Sequence, residues 1–356
     1  MEHESKSSRM AASLNFEDVR RLIIHNFPRH FVPMLYCMEK RKCENQTLIT
    51  EFNLLDFRNL HGLQILLFLL FLVIYIVTMA GNILIVALVV ADQHLHTPMY
   101  FFLGNLSCLE TCYTSTILPR MLASLLTGDR TISFSGCIIQ LYSFGFLVVT
   151  ECFLLAAMSY DRYLAICKPL HYSALMNGRF CLQLAAGSWV SGFLAITIII
   201  FLMLQLTFCG PNEIDHFFCD FIPLLKLSCS DTQLISMVSL FLSFFDTFPP
   251  FLLTVASYIY IITSILRIPS TTGRQKAFST CSSHLIVVTV FYGTLVIVYM
   301  LPKNNTLRDL NKVFSVFYTV LTPLLNPLIY SLRNKHVNMA LRKVLSKFAG
   351  SSSQQV

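Results

Sequence analysis

Seven long apolar runs recur along the chain, at about Leu63–Ala91, Met99–Leu122, Phe134–Tyr160, Phe180–Leu202, Leu234–Leu266, Phe278–Leu301 and Val313–Leu332. Roughly 20 such residues cross about 30 Å of hydrocarbon as a helix. Inside lipid every backbone N–H and C=O needs a partner from the protein itself, which leaves only helices and closed barrels as spanning forms. The runs are too long for barrel strands and lack period-two alternation. The expectation is an all-α membrane protein, a seven-transmembrane helix bundle over residues 61–332. A polar segment, 1–60, precedes it, and a tail, 333–356, carrying a short amphipathic helix follows. Composition agrees, with 55% of the 356 residues apolar and 13% charged, far from the balance of a soluble domain.

The net charge of +7 sits in loops and tails between the runs, which fits a membrane and gives no footing to a nucleic-acid partner. Loops three and five and the tail carry Arg162, Lys168, Arg179, Arg267, Arg274, Lys276, Arg333, Lys335, Arg342, Lys343 and Lys347. Loops two, four and six carry fewer: Arg120, Arg130, Lys226, Lys303, Arg308 and Lys312. The asymmetry places the amino terminus outside and the carboxyl terminus in the cytoplasm. The basic residues of Met1–Lys42 oppose that orientation, and translation starting at Met34 or Met38 would remove most of them. No sustained apolar segment of signal-peptide form precedes Leu63. Asn45-Gln46-Thr47 is a glycosylation acceptor if that end is luminal. Arg333–Phe348 mixes basic and apolar residues, the pattern of a helix lying on an anionic lipid surface.

Charges inside the runs point to function, because each is expensive in hydrocarbon unless it is neutralised or partnered. The third run ends in M-S-Y-D-R-Y-L-A-I-C-K-P at Met158–Pro169, with Asp161 and Arg162 side by side. Glu110 and Glu151 lie within the second and third runs; a shared cation or polar partner competes with two separately protonated carboxyls. Asp246 and Pro249-Pro250 occupy the fifth run, and Asn326-Pro327 the seventh. Either proline site frees a carbonyl and is expected to kink its helix. Cys209, Cys219 and Cys229 share the fourth loop and Cys137 opens the third run, so three disulfide pairings are open. His216, Cys219 and Asp220 offer soft-metal ligand types, but a disulfide-bonded Cys219 has no thiolate to give; no metal is expected. Cys281 and His284, one helical turn apart, lack the third group that a catalytic site needs, so no enzyme activity is expected. A transporter would show internal repeats, and the seven runs show none.

The chain resembles an olfactory receptor, a branch of the rhodopsin-like G-protein-coupled receptors, from about Asn45 to Lys347. The motifs that carry the resemblance are Gly81-Asn82, L-H-T-P-M-Y-F-F-L at Leu95–Leu103, M-S-Y-D-R-Y-L-A-I-C at Met158–Cys167, Ser257-Tyr258, K-A-F-S-T-C-S-S-H-L at Lys276–Leu285, F-Y-G-T at Phe291–Thr294 and P-L-L-N-P-L-I-Y-S-L-R-N at Pro323–Asn334. The resemblance implies disulfides Cys137–Cys219 and Cys209–Cys229. It implies an odorant cavity lined by Phe144, Gly145, Val148, Val149, Leu242, Asp246, Tyr292, Leu295, Tyr299 and Thr319. It implies a switch built from Asp161, Arg162, Tyr163, Tyr258, Lys276, Asn326, Pro327 and Tyr330, which opens a groove for a stimulatory G protein and raises cyclic AMP at the plasma membrane. A sodium ion near Glu110 and Glu151 is a further expectation, with Glu110 standing where the family commonly has Asp. Met1–Pro33 exceeds the family's usual amino terminus, and Tyr292-Gly293 replaces the Trp and Pro of the wider rhodopsin-like pattern.

Overall fold

The computed structural model describes residues 49–55, 62–209, 211–300, 308–333, 337 and 339–342. Its spanning helices are α1 (Gln64–Ala91), α2 (Pro98–Thr127), α3 (Phe134–Cys167), α4 (Gly178–Met203), α5 (Gln233–Leu266) and α6 (Thr271–Met300). The seventh span, α7, is built in three pieces: Arg308–Val316, a π-helical turn Phe317–Leu321, and Thr322–Arg333. Local chemistry sets several of the ends. Pro98 takes the first position of α2, where its missing N–H costs nothing. Gly128, at φ 74°, ends α2 in the left-handed conformation that glycine adopts without strain. The Ser133 hydroxyl accepts from the Gly136 N–H to start α3, and Asn177 caps α4 through the Phe180 N–H.

Helix α3 is the centre of the bundle and packs against α2, α4 and α5. Among the described residues, five helices are long and apolar enough to cross a membrane alone, and the two halves of α6, bent by 46°, make a sixth span when counted as one. Helix α2 is less apolar because Ser107, Glu110 and Thr114 are turned into the bundle, where protein and not lipid surrounds them. The prolines at which kinks are expected do not interrupt the runs of helix. Helix α5 runs on through Pro249 and Pro250, and the last piece of α7 runs on through Pro327. The irregular turn of α7 lies at Phe317–Leu321 instead, a π-bulge of the kind that marks functional helices.

One end of the bundle carries an element that the all-α expectation did not contain. Strand β1 (Glu51–Leu54) lies between β2 (Thr131–Ser133) and β3 (Glu213–Ile214). It is antiparallel to β2, with Phe52 opposite Ile132, and parallel to β3, with Leu54 opposite Ile214. Phe52 and Leu54 point to one face and are buried there, with the Phe134 and Phe208 rings about Phe52 at 6.0 and 6.1 Å. The strands are too short for independent stability. The apolar cluster beneath them, which includes Met203, Leu224 and Ile235, holds them.

Candidate functional site

The loop between α4 and α5 folds down over the bundle. Cys219 is joined to Cys137 of α3 with Cα atoms 5.4 Å apart, and Cys209 to Cys229 at 5.9 Å. Gln140 locks the first junction: its amide donates to the Thr116 carbonyl at 3.0 Å, and its oxygen accepts from the Cys219 N–H at 2.9 Å. Sulfur of Cys219 is thus committed to Cys137 and does not join His216 and Asp220. Below the disulfide the loop sends Phe218 against Phe144 at 4.8 Å. Phe144 also meets Tyr113 at 5.5 Å and Tyr318 at 6.0 Å, so the centre of the bundle is a buried aromatic cluster.

Several of the residues expected to line the cavity belong to the same large buried core as Phe144. Tyr292 is buried, its ring 5.3 Å from Phe251 and its hydroxyl donating to the Cys152 carbonyl at 2.9 Å. Leu295 is buried and Val148 half-buried in the same cluster, and Val149 is half-buried beside them in α3. Thr319 is buried, donating to the Ser315 carbonyl at 2.7 Å. Leu242 packs higher, against the cluster under the strands, and Asp246 follows one turn below it on α5. Gly145 requires a correction: a Cβ there would fall 2.5 Å from Ile196 Cδ1, so it faces α4 and forms a helix seam instead of a cavity wall. The rings Tyr113, Phe218, Phe251 and Tyr318 that pack here were not singled out from the sequence, since nothing in a buried ring's local sequence sets it apart. Asn45 lies outside the described residues, as do the side chains of Lys276, Tyr299 and Tyr330.

Midway down, polar groups from four helices meet. Asn326 of α7 donates to Glu110 Oε1, and Asn82 of α1 donates to the Pro323 carbonyl at 3.2 Å. Glu151 of α3 lies near enough to Glu110 to interact electrostatically. Among the described residues Asn82 Oδ1, Glu110 Oε2, Glu151 Oε1 and Asn326 Oδ1 are buried without a hydrogen-bond partner. Asn326 therefore belongs to this cluster, and Pro327 to the α1 seam, where a Cβ on Gly81 would sit 2.8 Å from its Cβ. Among the described residues no three His, Cys, Asp or Glu side chains gather for a metal. The set is two carboxylates and two amides, the oxygen donors that suit a hard cation.

At the end away from the strands, Arg162 Nε stands 4.0 Å from Asp161 Oδ2. Asp161 Oδ1 accepts from the Tyr172 hydroxyl at 2.8 Å. Tyr172 sits on a short helix, Pro169–Leu175, and burial together with the Asp161 charge pushes its phenol well above the usual range, keeping it a donor. Arg162 Nη2 has no hydrogen-bond partner among the described residues. The Tyr258 hydroxyl lies 2.6 Å from His284 Nδ1 of α6, the two rings stacked. The switch tyrosine is thus held by α6 and not by Arg162. Tyr163 is half-buried between the Tyr160 and Tyr260 rings at 6.2 and 5.7 Å.

Seven helices, a disulfide-pinned loop over one end and an Asp-Arg pair at the other define a rhodopsin-like seven-transmembrane fold. The chain superposes on squid rhodopsin with a TM-score of 0.64 at 17% identity, covering 81% of this chain and 87% of that one. Within that class, the chain belongs to the olfactory receptor family: the family profile described as "Olfactory receptor" matches residues 71–348. It is 50% identical to Olfactory receptor 11L1 of Homo sapiens over 86% of this chain and 95% of that protein. It is also 51% identical to Olfactory receptor 10A7 of Homo sapiens, with 86% and 96% covered, and 48% identical to Olfactory receptor 5AP2 of Mus musculus, with the same coverage.

Proposed function

We propose that the protein is an odorant receptor that takes small volatile ligands into the aromatic cluster around Phe144 and Tyr292 and activates a stimulatory G protein, raising cyclic AMP. Family membership over residues 71–348 carries this reading, and receptors of this class act through G proteins without catalysing a reaction. A site walled by rings and aliphatic groups with few polar atoms suits small, mostly apolar molecules. The strand end faces outward at the plasma membrane, and the end bearing Arg162 meets the G protein.

Activation is a population shift. The contact between Tyr258 and His284 ties α5 to α6, and the Asp161–Arg162–Tyr172 set occupies the arginine. Agonist favours a state in which α6 swings out, freeing Tyr258 to join Arg162 and Tyr330 beside a groove bordered by Lys276. A sodium ion among Glu110, Glu151, Asn82 and Asn326 would supply the positive charge that the two carboxylates need. Without it, protonation neutralises them. The amphipathic segment Arg333–Phe348 lies on inner-leaflet lipid, and Asn45 carries the glycan.

The deciding experiment is a cyclic AMP assay against a panel of volatile compounds, with wild type beside Arg162→Ala at matched surface expression. A wild-type response lost in the variant is expected. A response that persists undiminished in Arg162→Ala contradicts coupling through this end of the bundle.

A further inference from the structure

Asp246 is an ionisable group of the bundle whose charge has no part in the activation scheme above. It belongs to a stripe on α5 at four-residue spacing, with Leu242 above it and Pro250, Thr254 and Tyr258 below; the last three are buried. That stripe faces the helices. The lipid side of the same stretch is a run of exposed rings, Phe241, Phe244, Phe245 and Phe248. Asp246 itself is half-buried.

Its surroundings are those of a site for a cation. It lies close enough to Cys152 of α3 to interact electrostatically. The Cys152 carbonyl takes the Tyr292 hydroxyl at 2.9 Å, and Phe251 lies 5.3 Å from the Tyr292 ring. Asp246 and the Tyr292 hydroxyl thus share one neighbour, Cys152 of α3. Among the described residues the Asp246 carboxylate makes no hydrogen bond or ion pair, in contrast to Glu110 with Asn326 and Asp161 with Tyr172. A carboxylate within a spanning helix is retained at a cost unless a positive group meets it, and aromatic faces nearby add attraction for that charge.

We propose that Asp246 is the counter-ion for agonists bearing a protonated amine, so that small aliphatic amines are a preferred ligand class of this receptor. The inference rests on the odorant-receptor reading and narrows it. An ammonium group seats on the Asp246 carboxylate, and its alkyl chain lies along Phe251, Tyr292 and the α3 wall at Val148. Alkyl amines, like the Lys side chain, are almost fully protonated at neutral pH, whereas the matching alcohol has the same shape and no charge.

The test is a cyclic AMP dose-response in cells expressing the full chain, with butylamine to hexylamine against the corresponding 1-alcohols. Wild type, Asp246→Asn and Asp246→Glu are compared at matched surface expression, and melting of the purified receptor is followed with the same compounds. Amines should activate and stabilise wild type, and Asp246→Asn should raise their half-maximal concentration at least about tenfold, with Asp246→Glu restoring part of the loss. Neutral odorants should act equally on all three. Equal amine potency in wild type and Asp246→Asn overturns the proposal, as does a receptor that answers neutral volatiles and ignores amines; in both cases the odorant-receptor reading stands. Silence toward every volatile at confirmed surface expression overturns both.

Discussion

Gly192 lets α4 approach α3 closely: a Cβ at that position would fall 2.4 Å from Thr150 Oγ1 and 2.6 Å from the Phe146 carbonyl oxygen. Backbone cannot give way as a flexible side chain can, so Gly192→Ala forces the helices apart and is expected to cost about 1–3 kcal/mol. Gly187, five residues earlier on α4, has nothing within 4 Å of its Cβ position. Gly187→Ala should therefore leave stability level or raise it by up to about 1 kcal/mol through helix propensity. Melting of the two purified variants side by side checks the pair, and equal melting temperatures contradict the close approach. At this scale the sequence was readable only where chemistry is unusual in a membrane. Asp161-Arg162, Glu110, Glu151 and Asp246 declared themselves because charge is rare in hydrocarbon. Gln140, Tyr172 and Phe218 did not, because their roles depend on partners 79, 11 and 74 positions away that the local sequence does not name.

Among the elements, a hydrogen bond from Tyr258 to His284 ties α5 to α6 near the end that bears Arg162. His284→Leu removes the hydrogen bond between α6 and the Tyr258 hydroxyl in the resting arrangement while leaving Tyr258 intact for Arg162. Losing that bond destabilises the resting state by about 1–3 kcal/mol, a shift of roughly fivefold to over a hundredfold in the equilibrium. Basal cyclic AMP at matched surface expression should rise accordingly; a basal level at or below wild type contradicts a resting-state latch. The spans themselves were legible, because hydrocarbon demands long apolar runs, and α5 begins within one residue of the run expected for it. The π-turn at Phe317–Leu321 was not, since no residue type marks it. Strands β1 to β3 escaped because two to four residues cannot display a period of two.

For the molecule as a whole, Lys312 closes the structure. Its ammonium pairs with Asp215 of the α4–α5 loop at 2.5 Å and donates to the Leu55 carbonyl at 3.1 Å. The first strand, the long loop and the last helix are thereby tied at one point. Lys312→Met should leave the bundle folded and loosen the strands, so that the Glu51–Leu54 amides exchange with deuterium at least about tenfold faster, as for a locally opened segment. Unchanged protection of those amides contradicts the tie. The same arrangement sets the order of assembly. Strand β1 leaves the ribosome first, yet Ile132, Ile214 and Lys312 follow it at increasing distances, the last 257 positions after Leu55. At about 5–20 residues per second, the strand waits on the order of tens of seconds for the last of these partners. Completion of the cap therefore reports that the chain has been made and placed as far as the start of the seventh span. Damage to it is expected to show first in how much receptor matures past quality control, before any change in what the mature receptor detects.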